Sequence, residues 1–369
     1  MKKILIIITR GDSIGGAQIY VIRLANFLKN SFEVTVAYGA DSDVKDLMKP
    51  HLESLGLNFI RLNELENSLN PIKLYKSYSQ IRKVIIEFNP DLISLNSSLV
   101  GILGRLCAYN LSKRWVFTVH GWSYTDGISF FKKIIFKNTE YLISKLGGYW
   151  ILVSNHDYNL GENNNTIISE NSKVIYNSFQ KKESVKVFKY DQRFLNVVMV
   201  ARHTKQKDHI TLINAIKKIN NIKVYLIGDG DLLEKNKQYA IKKGVINKIE
   251  FLGYQRDVYK YLVSCDVFVL ISNWEGFPIS TLEAMSFSKP CIISDVGGAA
   301  EAIEEGVNGF AIKRKDVKNL ADKLKKLMLN KDLMKDMGKH SKTIAQNKFT
   351  EDVVFNQTKD FFSYIISNE

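Results

Sequence analysis

KILIIITRGDSIGGAQIYVIRLANFL, residues 3–28, sets an unbroken apolar run against a glycine pair and then an amphipathic segment. Lys3–Ile8 reads as a buried strand, because strands covered on both faces show continuous apolar runs rather than alternation. Gly15 and Gly16 follow it and open a helix. Two glycines at a helix N-terminus let backbone N–H groups come close to an anion. They also suit a plain tight turn from strand to helix. The stretch is no dinucleotide fingerprint, since G-x-G-x-x-G is absent, and no P-loop, since no GK[ST] follows.

The same rhythm runs outward from this unit. EVTVAY (33–38), LNFIRL (57–62), DLISLN (91–96), WVFTVH (115–120), YWILVS (149–154) and KVIYNS (173–178) read as further strands. Amphipathic segments such as Gln18–Lys29 and Ile72–Phe88 lie between them. Alternating strand and helix predicts a parallel sheet with helices on both faces. KKESVKVFKYDQR (181–193) is polar, has no clean period and reads as a linker. The rhythm restarts at FLNVVMV (194–200) and continues through KVYLIG (223–228), IEFLG (249–253), DVFVLIS (266–272) and PCIISDV (290–296). The restart predicts an α/β chain of two Rossmann-like domains. Ligands in such folds sit at the carboxyl ends of strands, so a cleft between the domains is the expected site. Residues 316–369 look helical throughout.

Bulk composition narrows the partners. The 369 residues carry 52 basic and 38 acidic side chains, a net charge of +14. Nucleic acid, acidic lipid headgroups and phosphorylated ligands all fit that balance. In the first half the excess is local, with seven basic and two acidic residues between 105 and 145. No apolar run is long enough for a spanning helix. The N-terminal apolar run is too short for a signal-peptide core and fits a first strand better. Cys107, Cys265 and Cys291 are scattered without metal spacing, which points to a reducing compartment.

Several motifs could carry chemistry. VMVARHTKQKDHITLINA (198–215) puts Arg202 and Lys207 in the loop after a strand. Two cations there suit a diphosphate, or are simply a solvated basic loop with Lys205. SNWEGFPISTLEAM (272–285) holds Glu275 and Glu283 around a helix start. Pro278 fits the first helical position, and amides of residues 276–280 then offer donors to a ligand. More than a turn of helix separates the two acids, so they need not face each other as a hydrolytic pair would. His120 ends a strand beside Gly121, as a structural or a cleft-facing group. Asp41-Ser-Asp43 and Asp229-Gly-Asp231 are spaced to hold Mg²⁺ or Mn²⁺, yet Asp and Gly in polar turns are expected anyway. GISFFKKIIFKNTEYLISK (127–145) fits an amphipathic helix. Phe131, Ile134, Ile135 and Leu142 fall on the expected core arc, with Lys133, Lys137 and Glu140 opposite. Phe136 and Ile143 fall beside Lys132, an exposed flank suited to an anionic bilayer.

Together the motifs resemble the retaining GT-B glycosyltransferases of bacterial polysaccharide and lipid-linked-oligosaccharide assembly. The resemblance rests on GGAQ (15–18), TVHGW (118–122), VSN (153–155), IYNSF (175–179), Arg202-x4-Lys207, GDGDLLE (228–234), FLGYQRDV (251–258), Glu275-x7-Glu283 and GGAAEAIEEGVNGF (297–310). FTVHGWSYTDG (117–127) is most similar to capsule-type enzymes that extend a sugar on a polyprenyl diphosphate. It implies two Rossmann-like domains facing across a cleft, 1–188 on the acceptor side and 189–349 on the donor side. The last segment, 350–369, would cross back to the first domain.

The resemblance also implies roles. Gly15 and Gly16 would approach the donor phosphates or sugar, and His120 the sugar near the reacting centre. Arg202 and Lys207 would neutralise the leaving diphosphate. Glu275 with Gly276, Phe277, Pro278 and Ile279 would hold the donor sugar, and Glu283 the ribose. The loop from Gly253 through Tyr254 to Val258 would hold the base, and Asn177 lies in the matching interdomain loop. No metal or other cofactor is implied. The expected reaction is transfer from a nucleotide-sugar, UDP-N-acetylhexosamine first, to a sugar or lipid-linked acceptor. The expected location is cytoplasmic, on the inner face of the membrane, with membrane contact through 128–145 and no nucleic-acid partner. Three departures stand out. Ala201-Arg202 replaces the usual Gly-Arg and Lys207-Asp208 the usual Lys-Gly. The run from Gly297 to Glu301 also lacks the usual proline. The alternatives are a nucleotide-sugar epimerase of the same fold, which needs no acceptor, and a basic membrane- or polyanion-binding protein.

Overall fold

The computed structural model describes residues 1–40, 46–182 and 184–368. The Asp41-Ser-Asp43 string lies outside the described residues. The chain divides into two compact units, Met1–Asn177 with Val354–Glu369, and Ser178–Val353.

The first unit holds β1 (Lys3–Ile8), β2 (Glu33–Gly39), β3 (Asn58–Leu62), β4 (Leu92–Leu95), β5 (Trp115–Val119), β6 (Tyr149–Leu152) and β7 (Ser172–Val174). They form one parallel sheet in the order β3-β2-β1-β4-β5-β6-β7. Strand side chains alternate between faces, and β1 displays both. Ile4, Ile6 and Ile8 pack with helix Gly16–Leu28 on one face, while Leu5 and Ile7 pack with helices Pro71–Phe88 and Ser98–Asn110 on the other. That double burial is why the run 4–8 is apolar at every position. Val354, Phe355, Phe361, Phe362 and Ile365 of the last helix join the Ile4 face.

The second unit holds β8 (Leu195–Val200), β9 (Ile222–Ile227), β10 (Ile249–Gly253), β11 (Val267–Leu270), β12 (Cys291–Ser294) and β13 (Gly309–Ile312), parallel in the order β10-β9-β8-β11-β12-β13. β13 is an addition to the strands read from sequence. It begins on Gly309, whose missing side chain leaves only Phe310–Ile312 as an apolar run. The expected division at 188/189 falls earlier, after Asn177. The Phe188 ring lies 4.8 Å from both Tyr190 and Tyr261, and its amide bonds the Lys260 carbonyl at 3.0 Å. Aromatic packing therefore ties the polar segment to the second unit. The tail is three helices, Val317–Leu329, Lys331–Lys348 and Glu351–Ser367. Asn330 breaks the first two apart and caps the second through the Leu333 amide at 2.9 Å.

Helix Phe130–Ser144 lies the opposite way round from the sequence expectation. Glu140 is buried and ion-paired to buried Arg105 of helix Ser98–Asn110. The Arg105 Nε also donates to the Gly101 carbonyl at 2.5 Å, and its guanidinium sits 4.7 Å above the Phe117 ring. Phe136 packs against the core with Glu140, whereas Phe131 and Leu142 are 77% and 65% exposed. The expected core arc is thus the outer one. A charge pair between two helices, invisible to periodicity, sets the rotation of the helix.

Candidate functional site

In the second sheet the strand order reverses between β8 and β11. Doubly wound sheets open a crevice outside the strand ends at such a point. The two loops leaving these strands are the basic loop 201–208 and the acidic loop 271–278. They are bonded together. Lys207 pairs with Ser272 as an isolated antiparallel bridge. The Asp208 amide donates to the Ile271 carbonyl at 2.9 Å, and the Asn273 amide to the Gln206 carbonyl at 2.7 Å.

Side chains complete the junction. Lys207 Nζ forms an ion pair with Glu275, largely shielded from solvent. Ser272 Oγ donates to Glu275 Oε1 at 2.5 Å and Gln206 Nε2 to Oε2 at 3.3 Å. Glu275 is therefore a carboxylate with three donors arranged around it. Its partner Lys207 has its charge already balanced, whereas Arg202 is exposed and carries no ion pair among the described residues. Sequence reading treated Lys207 as a diphosphate ligand and Glu275 as a sugar ligand, without the bond between them. It also missed Gln206 and Ser272.

The supports of the basic loop explain its departures from the family pattern. Asp208 caps helix His209–Ile216, accepting from the Thr211 amide at 3.1 Å and hydroxyl at 2.6 Å. A cap replaces the glycine. Asp229-Gly-Asp231 is a turn that cradles the loop from behind. The His203 amide donates to the Asp229 carbonyl at 2.9 Å, and Asp229 Oδ1 accepts its neighbour's amide, Gly230, at 2.8 Å. A side chain at Gly228, whose φ is +144°, would meet the Ala201 carbonyl oxygen at 2.2 Å. Behind the loop, His203 and His209 stack with ring centroids 3.9 Å apart. Burial lowers them to about 4 and about 3, respectively, so both are neutral supports at pH 7. No sequence signal marks them as a pair.

The acidic loop turns into helix Ile279–Ser286 with Pro278 at its cap. The expectation that Pro278 opens the helix is corrected by one position. Proline has no N–H, so the free donors expected here come from Gly276 and from the first-turn amides of Ile279 and Ser280. Phe277 is buried against Phe349, with ring centroids 5.3 Å apart. Gly297 comes so close that a side chain there would lie 1.8 Å from the Glu275 carbonyl oxygen. The glycine-rich turn 297–301 thus buttresses Glu275 without its usual proline.

Glu283 sits further along this helix, nearly buried, and accepts the Tyr259 hydroxyl at 3.0 Å. It does not bond Glu275, whose partners are the loop donors above. Tyr259 follows the Tyr254–Val258 loop, so the intended ribose and base ligands share one corner of the second unit. Tyr254 is 70% exposed, a flat ring open to stacking, and Val258 caps the short helix Tyr259–Leu262. Sequence reading did not single out Tyr259.

In the first unit the reversal lies between β1 and β4, and the loops again interlock. The Thr9 hydroxyl lies 2.5 Å from that of Ser97. Gly15 caps helix Gly16–Leu28, and Gln18 reaches back to accept the Gly15 amide at 3.1 Å and donate to the Arg10 carbonyl at 3.2 Å. Gly16 is exposed at the first turn. His120 follows β5, with Nε2 3.4 Å from Asn96 Oδ1 and the Tyr20 ring edge-on at 4.9 Å. Asn96 spends its amide nitrogen on Ser94, leaving an oxygen toward the imidazole. That oxygen fits a proton on Nε2 and an acceptor at Nδ1. Only part of the ring meets solvent, and burial lowers it to about 4, so it is neutral at pH 7. Asn177, buried, ends the unit after β7.

Known proteins share this organisation. Residues 14–180 match the Glycosyltransferase Family 4 model, and residues 180–344 match Glycosyl transferases group 1. The chain is 26% identical over 320 residues, 82% of each chain, to the UDP-Gal:alpha-D-GlcNAc-diphosphoundecaprenol alpha-1,3-galactosyltransferase of Escherichia coli. It is 27% identical over 343 residues to the N,N'-diacetylbacillosaminyl-diphospho-undecaprenol alpha-1,3-N-acetylgalactosaminyltransferase of Campylobacter jejuni, covering 86% of this chain and 88% of that one. The crystal structure of Anabaena Alr3699/HepE in complex with UDP superposes with a TM-score of 0.82 at 21% identity, over 99% of this chain and 100% of that one. At that identity the likeness speaks for the fold.

Proposed function

The chain belongs to the GT-B glycosyltransferases, with a Glycosyltransferase Family 4 half and a Glycosyl transferases group 1 half, and on that premise we propose that it moves a sugar from a UDP-sugar to a lipid-linked sugar with retention of configuration. N-acetylhexosamine is the proposed donor sugar. The Escherichia coli and Campylobacter jejuni relatives are named for diphosphoundecaprenol-linked acceptors, which supports the acceptor class. The acceptor is presented at the inner face of the cell membrane, in assembly of a surface polysaccharide. Among the described residues no helix is long and apolar enough to cross a membrane, so contact with the bilayer is peripheral in this reading.

One observation carries the assignment of roles: the bonded junction of the basic and acidic loops at the strand-order reversal, centred on Lys207 and Glu275. A diphosphate at this junction meets Arg202, Lys207 and the first-turn amides of Ile279 and Ser280. Helix N-termini and guanidinium groups both favour phosphate oxygens. Lys207 then bridges Glu275 and the phosphate. As the bond from sugar to diphosphate breaks, negative charge grows on the leaving oxygen, where fixed cations stabilise it most. Glu275 holds a sugar hydroxyl, and Glu283, oriented by Tyr259, holds the ribose. Tyr254 stacks on the base within the 253–258 loop. By the same family resemblance Gly15 and Gly16 are the proposed phosphate or sugar contacts contributed by the first unit, and Asn177 a further proposed donor-binding residue. Neutral His120 offers the sugar an uncharged hydrogen-bonding group.

The acceptor hydroxyl attacks from the face the diphosphate leaves. It forms the new glycosidic bond as the old one breaks, and its proton passes to a diphosphate oxygen. In this reading Arg202, the bridging Lys207 and the helix amides hold the diphosphate without a divalent ion, and turnover persists in EDTA. The test is direct. Purified protein is incubated with UDP-sugars and a short polyprenyl-diphosphate-linked sugar, and products are read by mass spectrometry. Transfer of one sugar supports the proposal. A changed sugar on UDP without any acceptor points to an epimerase instead.

A further inference from the structure

Gln206 Nε2 spends both of its hydrogens on the acidic loop, one on the Trp274 carbonyl at 3.1 Å and one on Glu275 Oε2 at 3.3 Å. One side-chain nitrogen thus holds the main chain that leads into Glu275 and the carboxylate itself. Those two acceptors settle the orientation of the carboxamide, because its oxygen in the same place would face two other oxygens. The main chain beneath it is pinned as well. Asn273 donates its amide to the Gln206 carbonyl at 2.7 Å and its Nδ2 to the Lys205 carbonyl at 2.9 Å. Its own Oδ1 accepts from Arg314 Nε, just after β13, at 2.9 Å.

The groups left over at this corner are acceptors. Glu275 Oε1 takes Lys207 and Ser272, and Oε2 takes Gln206. Each carboxylate oxygen accepts two hydrogen bonds, so among the described residues Oε2 keeps one place. Gln206 Oε1, on the same carbon as the engaged nitrogen, accepts from none of the described residues. No cation is spare, because Lys207 balances Glu275 and, in the proposed function, turns its other hydrogens to the diphosphate. We infer that Gln206 sets the class of donor sugar: the corner takes a neutral, hydroxyl-bearing sugar and excludes a uronic acid, whose carboxylate would meet only acceptors. A neutral amide does this where a charged residue could not. Glutamate at this position would set two carboxylates against each other. Lysine would put a second cation on Glu275 and admit the uronate. Rejection of the wrong sugar thus comes from an unmatched charge rather than from shape. The inference deepens the proposed function and rests on Glu275 as the ligand of the donor sugar.

Calorimetry on the full chain gives Kd for UDP, UDP-N-acetylglucosamine, UDP-N-acetylgalactosamine, UDP-glucose and UDP-glucuronic acid. The wild type should bind the best neutral UDP-sugar about tenfold or more tighter than UDP-glucuronic acid. Gln206→Met keeps the stem and deletes the amide. It should weaken that neutral sugar by about tenfold and leave Kd for UDP within about twofold. Gln206→Lys should cut the preference for neutral over uronic sugar by about tenfold or reverse it. The methionine variant carries the test alone if the lysine variant does not fold. An unchanged Kd for the neutral sugar in Gln206→Met overturns the inference, as does an unchanged preference in Gln206→Lys. UDP and UDP-sugar weakened alike in Gln206→Met make the residue a structural prop and also overturn it. A wild type that binds neutral and uronic sugars equally refutes the specificity and leaves the proposed function standing. A wild type that binds no UDP-sugar refutes that function and this inference together.

Discussion

Replacing Lys207 by methionine isolates the junction of the two loops. The substitution keeps the stem that packs in the loop and deletes the charge. Glu275 then retains Ser272 at 2.5 Å and Gln206 at 3.3 Å. Breaking a fully buried pair costs about 3–5 kcal/mol. Here two donors remain and some solvent reaches the pair, so about 1–2 kcal/mol is expected. For a unit the size of Ser178–Val353, that lowers the melting point by about 2–8 °C. The catalytic loss is larger, because the cation acts on charge that develops only as the diphosphate leaves. A lost donor of that kind costs about 10²–10³ in kcat. Turnover is measured with radiolabelled donor at saturation, beside a thermal melt. Lys207→Arg keeps a cation in reach and should recover part of kcat. A methionine variant within about threefold of wild-type kcat refutes the role, and an unchanged melting point refutes the pair.

Three further outcomes follow from single contacts. Tyr259→Phe removes the hydroxyl held at 3.0 Å by Glu283, and donor Kd should rise about tenfold with kcat little changed, read by calorimetry; an unmoved Kd refutes the ribose corner. Glu140→Ala leaves buried Arg105 unpaired and should cost about 3–5 kcal/mol in denaturant unfolding, whereas Arg105→Met with Glu140→Leu should recover most of it. His120, His203 and His209 have folded pKa values lowered by burial to about 4, about 4 and about 3. Below about pH 6.5 the unfolded chain binds more protons, so stability is full above that value and falls as pH drops toward 4. A melting temperature flat across that window contradicts the burial of these rings.

Much of the fold is written in residues with one possible use. Ile4–Ile8 must be covered on both sides, and a chain that repeats that run after a linker must fold twice. The candidate loops were legible as places, since glycines and charges gather at the strand ends. What sequence could not supply is pairing at a distance. Lys207 and Glu275 are brought together by two strands that are neighbours only in the sheet. Glu283 and Tyr259 meet through a helix and a loop. Helix Phe130–Ser144 is the clearest case. Its periodicity defines an apolar arc but not which way that arc faces, and the answer lies in Arg105, a full helix away. Phe188 teaches the same lesson at the boundary, where one aromatic cluster outweighs a polar-looking segment.

The most direct test of the central claim is the configuration of the bond the enzyme makes. Product from an α-linked UDP-N-acetylhexosamine and a polyprenyl-diphosphate-linked sugar is examined by proton NMR at the new anomeric position. The account predicts a small coupling constant, that of an α-linkage made on the face the diphosphate leaves. A large coupling constant, that of a β-linkage, contradicts it and requires a general base that this pair of loops does not supply.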